Sequence, residues 1–418
     1  MRVSAYLLAL PLAVVSFAQP SEKRVETEIN ELVAETMRRN PEIMAAQKKY
    51  EAAQQRPAQQ RALPDPLLSL GWNSTGNPLP GAGIGTDPVA NIGFMASQQI
   101  PYPGKLRLKG EVAAKEADAE AQEYRVVTLR VLSRLKQAYY QLHHSYVMTE
   151  LINRNKDLLR SLLRATEARY ASGMAPQADV FRGQTQLTLT EARLLQIDQE
   201  RRSRQAEING ILNRPTNTEI PQPAEPHEMA LPLTEEQLIQ RARDAAPALA
   251  RDQKKIEGAG TAIQLARKDY YPDVTLNGGF FSMGSMGQMY VLRADLNLPL
   301  RRGRTRAEIA DKSSGLAEAK ASYEAGARMV EFQIREGYLA AETAERLADL
   351  YLNTVLPQAR LTEESALTAY ESGAMDFASV LANYVAAIDY EMSYHQQVQD
   401  YHLALVRLEE ITGVQLIQ

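Results

Sequence analysis

The chain has 418 residues, 44% of them hydrophobic and 23% charged, with a formal net charge of −4. That balance shows no polybasic face, which argues against nucleic acid as a partner. There is no cysteine, so disulfides, thiolate chemistry and lipidation on an N-terminal cysteine are excluded.

In chain order, the first element is a leader. Arg2 gives a positive start, the run from Ala5 to Ala18 is apolar, and Ser16-Phe17-Ala18 has the small-x-small form of a cleavage site. Residues 1–18 therefore read as a secretory signal peptide, and the mature chain starts near Gln19, outside the cytoplasm. After it, no run reaches the roughly 18 apolar residues of a transmembrane helix. The protein is then either soluble in an exported compartment or crosses a membrane as strands.

A first unit spans residues 19–213. It opens with a helix around Ala46-Gln47-Lys48-Lys49-Tyr50 and continues into two expected strands, near 66–75 and 90–101. In the first, Leu68, Leu70 and Trp72 share one face; in the second, Ile92, Phe94, Ala96 and Ile100 oppose Asn91, Gly93, Ser97 and Gln99. From Lys105 to Tyr170 there is one Gly, Gly110, and no Pro, in a composition rich in strong helix formers. At 1.5 Å per residue this predicts a helix roughly 100 Å long. Leu132, Leu135, Tyr139, Leu142 and Tyr146 alternate three and four apart, like a coiled-coil seam, which then slips toward Leu151, Leu158 and Leu162. A turn at about 172–178 leads to a further helix.

Residues 214–233 are Pro-rich, lack an apolar period and read as an extended linker. The second unit, residues 234–418, has expected strands near 272–282 and 289–300. Val274, Leu276 and Phe280 line one face of the third; Tyr290, Leu292, Ala294, Leu296 and Leu298 oppose Arg293, Asp295 and Asn297 in the fourth. A second long helix runs from Arg304 to Tyr370, where Pro357 predicts a kink or a break. A turn at about 372–376 and a last helix follow.

The two units are copies. Tyr170, Ser172, Gly173, Ala178 and Val180 recur as Tyr370, Ser372, Gly373, Ala378 and Val380. "AQKKYEAA" from Ala46 answers "DQKKIEGA" from Asp252, and "KQAYYQL" from Lys136 answers "REGYLAA" from Arg335. Matches in constant order at a slowly drifting offset mark an internal two-fold repeat. In the repeated turn, Gly173 and Gly373 suit the left-handed residue that ends a helix, Pro176 suits the first turn of the next helix, and Asp376 suits an N-cap.

Four segments of about ten residues, apolar on one side and polar on the other, fit transmembrane β-strands. Trp72, Phe94, Tyr102, Tyr270, Tyr271, Phe280, Phe281 and Tyr290 gather near their ends, as interfacial aromatics do. Exposed hairpins of a soluble, periplasmic coiled-coil scaffold are the alternative. In lipid, four strands cannot close a barrel, and an open edge leaves backbone groups unsatisfied. Three chains would supply twelve strands, so the fold expected is an α+β membrane protein. It would be a trimeric 12-stranded β-barrel continuous with a long α-helical coiled coil.

Other chemistry is sparse. Met283, Met286 and Met289 sit three apart beside a hairpin loop. Thioethers suit copper(I), yet no His or Cys accompanies them, and apolar loop contacts explain them equally. His143 and His144 are adjacent and point about 100° apart on a helix, so they do not chelate as an i, i+4 pair would. Arg293, Asp295 and Asn297 share the face expected to line a lumen. No nucleotide, hydrolase or zinc-protease motif occurs, so no enzyme and no cofactor are expected.

Signal peptide, duplicated helix–hairpin–long helix–turn–helix unit and the phrase "RYASGMAPQADV" together resemble the TolC family of outer-membrane efflux proteins. The stretch "IPYPGKLRLKGEVA" from Ile100 is similar to the heavy-metal (CusC/CzcC-like) branch. The resemblance covers the mature chain. It implies a homotrimer seated in outer-membrane lipid of a Gram-negative-type bacterium, its helical part a tunnel in the periplasm. It also implies a periplasmic adaptor (membrane fusion) protein and an inner-membrane pump as partners. The cargo expected is metal cations, with drug or type I protein export as alternatives. The resemblance puts adaptor contact at the turn end of the tunnel, here Tyr170, Ser172, Gly173, Asp179, Tyr370, Ser372, Gly373 and Asp376. Two departures stand out: there is no cysteine for a lipid anchor, and only Asp376 is acidic just after the second turn.

Overall fold

The computed structural model describes residues 28–76, 78–226, 231 and 233–416. The expected signal peptide lies outside the described residues. Each copy begins with a short helix followed at once by a second. In the first copy these are α1 (Ile29–Arg39) and α2 (Pro41–Arg61); in the second, α5 (Glu235–Ala245) and α6 (Pro247–Lys268). Pro at the first helical position, with no amide hydrogen to waste, fixes both second helices' starts. Asn40 between α1 and α2 caps the amides of Glu42 and Ile43 and donates to the Ile211 carbonyl 2.8 Å away. Its counterpart Ala246 offers no such side chain.

The strands are β1 (Leu67–Asn73), β2 (Asn91–Ile100), β3 (Asp273–Ser282) and β4 (Gln288–Asn297), each antiparallel to the next in the order β1-β2-β3-β4. The central β2–β3 pairing joins the two copies, with Ala96 opposite Gly278 and Phe94 opposite Phe280. Among the described residues, both outer strands, β1 and β4, leave an edge without a partner.

Helix α3 (Lys105–Ala171) runs unbroken for 67 residues and packs on α2, α4 (Gln177–Ile211), α6 and α9 (Phe377–Thr412). Its second-copy counterpart is interrupted. Helix α7 (Arg302–Leu350) passes through a π-helical turn, Tyr351–Val355, into α8 (Leu356–Glu371). Pro357 explains the interruption, since it lacks an amide hydrogen and its ring crowds the carbonyl four residues back, that of Asn353. The wider turn, in which the Leu356 amide reaches back to Tyr351, absorbs that conflict without ending the helix.

Two cores mirror each other at the waist of the helical part. Leu32 and Ile43 of the first copy pack with Leu135, Tyr139, Leu142 and Ile208; Leu238 and Leu249 of the second pack with Ile334, Ala341, Leu405 and Leu408. The seam read along α3 holds at Leu135, Tyr139, Leu142 and Leu151 and fails at Leu158, which is exposed. Its neighbour Leu159 is buried instead, together with Asn155, Leu163 and Thr166, in the stretch where Thr166 meets Tyr370 of α8 and the Asn155 carbonyl accepts the Tyr384 hydroxyl of α9.

Candidate functional site

Alternation along the strands gives the sheet two unlike faces. Leu68, Leu70, Trp72, Ile92, Phe94, Leu276, Phe280, Tyr290, Leu292 and Leu296 fall on one face by register, and Leu70, Tyr290 and Leu292 are 79%, 75% and 90% exposed. Among the described residues nothing covers this apolar surface, which asks for an apolar environment. Phe280 lies between Phe94 and Tyr290, with ring centroids 6.1 and 5.5 Å away.

The opposite face is polar. Ser97 donates to Asn277 at 2.6 Å, Asn277 donates to Asp295 at 2.9 Å, and Arg293 pairs with Asp295 at 3.0 Å. Asn277 is the buried link in a chain of side chains crossing three strands. Asn297 stands further along the same face, opposite Asp273. Arg293 and Asp295 are each at least half exposed, as groups meeting water would be. Phe281 also lies on this face, its ring across Gly93, where a Cβ would come within 2.7 Å of the ring.

At the other end of the helices stand the two repeated turns. Gly173 and Gly373 both have φ of +77°, the left-handed region that favours glycine. In the first turn the Gly173 amide bonds to Tyr170 and the Met174 amide to Arg169; in the second, Gly373 bonds to Tyr370 and Ala374 to Ala369. Both are Schellman endings. Ser172 and Ser372 each donate a hydroxyl back to a last-turn carbonyl. The next helices then start differently. Asp376 caps the Ser379 amide at 2.8 Å, which holds its carboxyl below the usual carboxylate range. Pro176, expected in the first turn of the next helix, is instead its N-cap, without a side-chain cap.

The tyrosines also part company. Tyr370 is 5% exposed and packs on Phe377; the Arg169 guanidinium lies 4.4 Å over its ring and donates to its carbonyl, and its hydroxyl meets Thr166. Tyr170 is 45% exposed. Asp179 is nearly buried, 3.4 Å from Arg182. A groove of about 530 Å³ opens between α3 and α8, lined by Leu158, Leu162, Arg169, Leu367, Tyr370 and Tyr384.

The loop methionines are spread along the β3–β4 hairpin. Met286 is exposed in its one-turn 3₁₀ segment, and Met289 stands on β4 opposite Phe281. Among the described residues no group of three or more His, Cys, Asp or Glu has the arrangement of a metal site. Sequence reading missed one cluster: His143 and His144 of α3 meet His395 and His402 of α9 around a small cavity with Tyr140 and Gln399. Burial holds His143 and His144 neutral, with pKa values lowered to about 4. Spacing of about 250 residues hid the meeting of these side chains.

A second feature missed is the junction between sheet and helices. Lys105 of the "IPYPGK" phrase is buried and bridges Asp269 and Asp273, both at 3.0 Å. Burial opposes its charge, yet the two carboxylates keep its pKa above the ordinary lysine value. Asp273 also accepts the Tyr102 amide at 2.7 Å, and the Tyr102 and Tyr271 rings stack at 4.4 Å. The phrase thus bolts the start of α3 to the start of β3.

Residues 32–214 match the family model described as outer membrane efflux protein. No curated protein matches the chain. Among solved structures, CusC superimposes with a TM-score of 0.79 at 14% identity, over 94% of this chain and 93% of that one. This is the TolC-like channel fold. VceC of Vibrio cholerae has a TM-score of 0.78 at 17% identity, covering 92% and 96% of the two chains. The CmeC outer membrane channel of Campylobacter jejuni has 0.76 at 15%, covering 98% and 94%. The TolC-like neighbours lie so close together in similarity that the fold singles out no branch among them.

Proposed function

We propose that three copies of this chain form the outer-membrane exit duct of a tripartite efflux system, with the helices as a periplasmic tunnel. One observation carries this reading: a sheet apolar on one face and polar on the other, with both edges unpaired, at the end of helices about 100 Å long. In lipid those edges must be paired, and β4 of one protomer against β1 of the next closes a twelve-stranded wall. The polar chain Ser97–Asn277–Asp295–Arg293 then faces the water-filled lumen, with Arg293, Asp295 and Asn297 tuning ion passage. The duct is a conduit without catalytic chemistry, so the energy comes from an inner-membrane pump joined through a periplasmic adaptor. Adaptor contact at the turns, through Tyr170, Ser172, Gly173, Asp179, Tyr370, Ser372, Gly373 and Asp376, is supported by the exposed Leu158, Tyr170 and Met174 at that end. Metal cations are the proposed cargo, on the strength of the "IPYPGKLRLKGEVA" phrase.

Two experiments test this. The mature protein should require detergent and run as a trimer; a monomer that stays soluble without detergent ends the duct reading. Deleting the gene with its neighbours intact should sensitise cells to metal salts more than to drugs. Sensitivity to drugs alone would leave the duct standing and remove the metal cargo.

A further inference from the structure

The overall charge of −4 conceals a strong local imbalance. Because the strands are antiparallel, the start of β1, end of β2, start of β3 and end of β4 lie at one rim of the sheet, where the chain passes to and from the helices. Cations stand in all four passages, in excess after β2 and after β4, and matched by Asp65 before β1 and by Asp269 and Asp273 before and at the start of β3. Arg61 precedes β1; Lys105, Arg107 and Lys109 follow β2; Arg267 and Lys268 precede β3; Arg301, Arg302, Arg304 and Arg306 follow β4. The far rim is the opposite case: between Asn73 and Asn91, and between Ser282 and Gln288, the only charged residue is Asp87.

Little at the basic rim neutralises it. Asp269 and Asp273 are occupied by Lys105, and Arg107 pairs with Glu111 at 2.5 Å. Among the described residues, Arg61, Lys109, Arg267, Arg301, Arg302, Arg304 and Arg306 form no ion pair, and the four arginines after β4 are exposed. Closing the wall does not change this, since the β1 flank brings Arg61 and a single acid, Asp65. The rim is also where Tyr270 and Tyr271 stand exposed beneath the apolar face, with Lys268 over the stacked Tyr102 and Tyr271 rings at 5.4 and 5.6 Å. Aromatic rings next to unpaired cations, at the lower border of a lipid-facing surface, mark the depth of headgroups.

We infer that this rim binds the phosphate of anionic phospholipids in the leaflet on the helical side of the membrane. The inference rests on the membrane duct proposed above. Guanidinium groups suit phosphate because two parallel N–H donors meet two oxygens. Each cation near an anionic lipid surface multiplies the interaction about fivefold, and the effect fades within a Debye length of about 8–10 Å. Cations farther along the helices therefore add little, and the four arginines after β4 dominate. Their headgroup contacts hold the barrel at a fixed depth.

The test is native mass spectrometry of the purified mature trimer in neutral detergent, titrated separately with phosphatidylglycerol and phosphatidylethanolamine. Wild type should bind phosphatidylglycerol preferentially, and the preference should shrink as salt rises. The combined Arg301→Gln, Arg302→Gln, Arg304→Gln, Arg306→Gln variant should bind phosphatidylglycerol roughly 600-fold more weakly. The same four positions changed to Lys should keep most of the preference, which separates charge from packing. Should the Gln variant fail to assemble, the salt dependence of wild type decides instead. Equal binding of both lipids by a wild-type trimer, or an undiminished preference in the Gln variant, overturns the inference and leaves the duct intact. So does loss of the preference in inorganic phosphate beyond that in chloride of equal ionic strength, which would mark a free-anion site. A monomer that binds neither lipid counts against the duct itself.

Discussion

The two repeated turns at the end of the helices share a backbone and little else. Gly173 and Gly373 have the same φ, and the same two amides reach back to the same two carbonyls. Yet Tyr370 is buried against Phe377 and Arg169, while Tyr170 faces solvent. Duplication preserved what the local chain dictates, the left-handed glycine and the serine hydroxyl that back up a Schellman ending. It did not preserve what depends on the neighbour. The second turn lies against the end of α3, which supplies Thr166 and Arg169, and the first has no equivalent shelter around its tyrosine. The second turn is therefore held by its neighbours, and the first presents its tyrosine to solvent.

Substitutions at the tyrosines should widen this contrast most. Tyr370→Ala removes a buried aromatic ring together with the cation–π contact and the Thr166 hydrogen bond. The expected loss is about 3–5 kcal/mol, seen as a lower melting temperature of the purified trimer. Tyr170→Ala should stay within about 0.5 kcal/mol of wild type while weakening adaptor capture in a pull-down. Equal destabilisation by the two changes would show that trimer assembly buries Tyr170 as well.

The glycines should behave alike, and this checks the shared half of the comparison. A Cβ at φ of +77° costs about 1–2 kcal/mol whatever surrounds it. Nothing lies within 4 Å of a Cβ built at Gly173, and only an Arg169 nitrogen at 3.8 Å approaches one at Gly373. Gly173→Ala and Gly373→Ala should then lower the melting temperature by matching amounts. A difference above about 1 kcal/mol would mean that the turns carry unequal strain.

What could be read in the sequence was what local chemistry fixes. The alternation of Leu292, Ala294 and Leu296 with Arg293 and Asp295 needs only the period of a strand, and the repeat needs only comparison of the chain with itself. Asp376 was legible as a cap because an N-cap is decided within four residues. Tertiary choices were not legible. Leu158 and Leu159 are equally apolar, and only the identity of the facing helix decides that Leu159 is buried. The histidine cluster and the Lys105 bridge join residues far apart in sequence. The basic rim was hidden by the same distance, being spread over four passages in a chain whose total charge is slightly negative.

The smallest effect expected at the tip concerns how the next helix begins. Asp376 accepts the Ser379 amide and is ionised more readily than an ordinary aspartate; Pro176 is the N-cap of α4 and makes no side-chain cap bond. A carboxyl with a lowered folded-state pKa adds stability above its unfolded value, about 3.9, and loses it as pH falls through the folded value. Asp376→Ala should therefore lower the melting temperature at pH 7, and the gap from wild type should narrow as pH is taken below about 4. Pro176→Ala, with no side-chain bond to lose, should show no pH-dependent gap over the same range. If the Asp376→Ala gap stays constant with pH, the carboxylate is not stabilising the start of α9 through its charge, and the two helix starts are energetically alike.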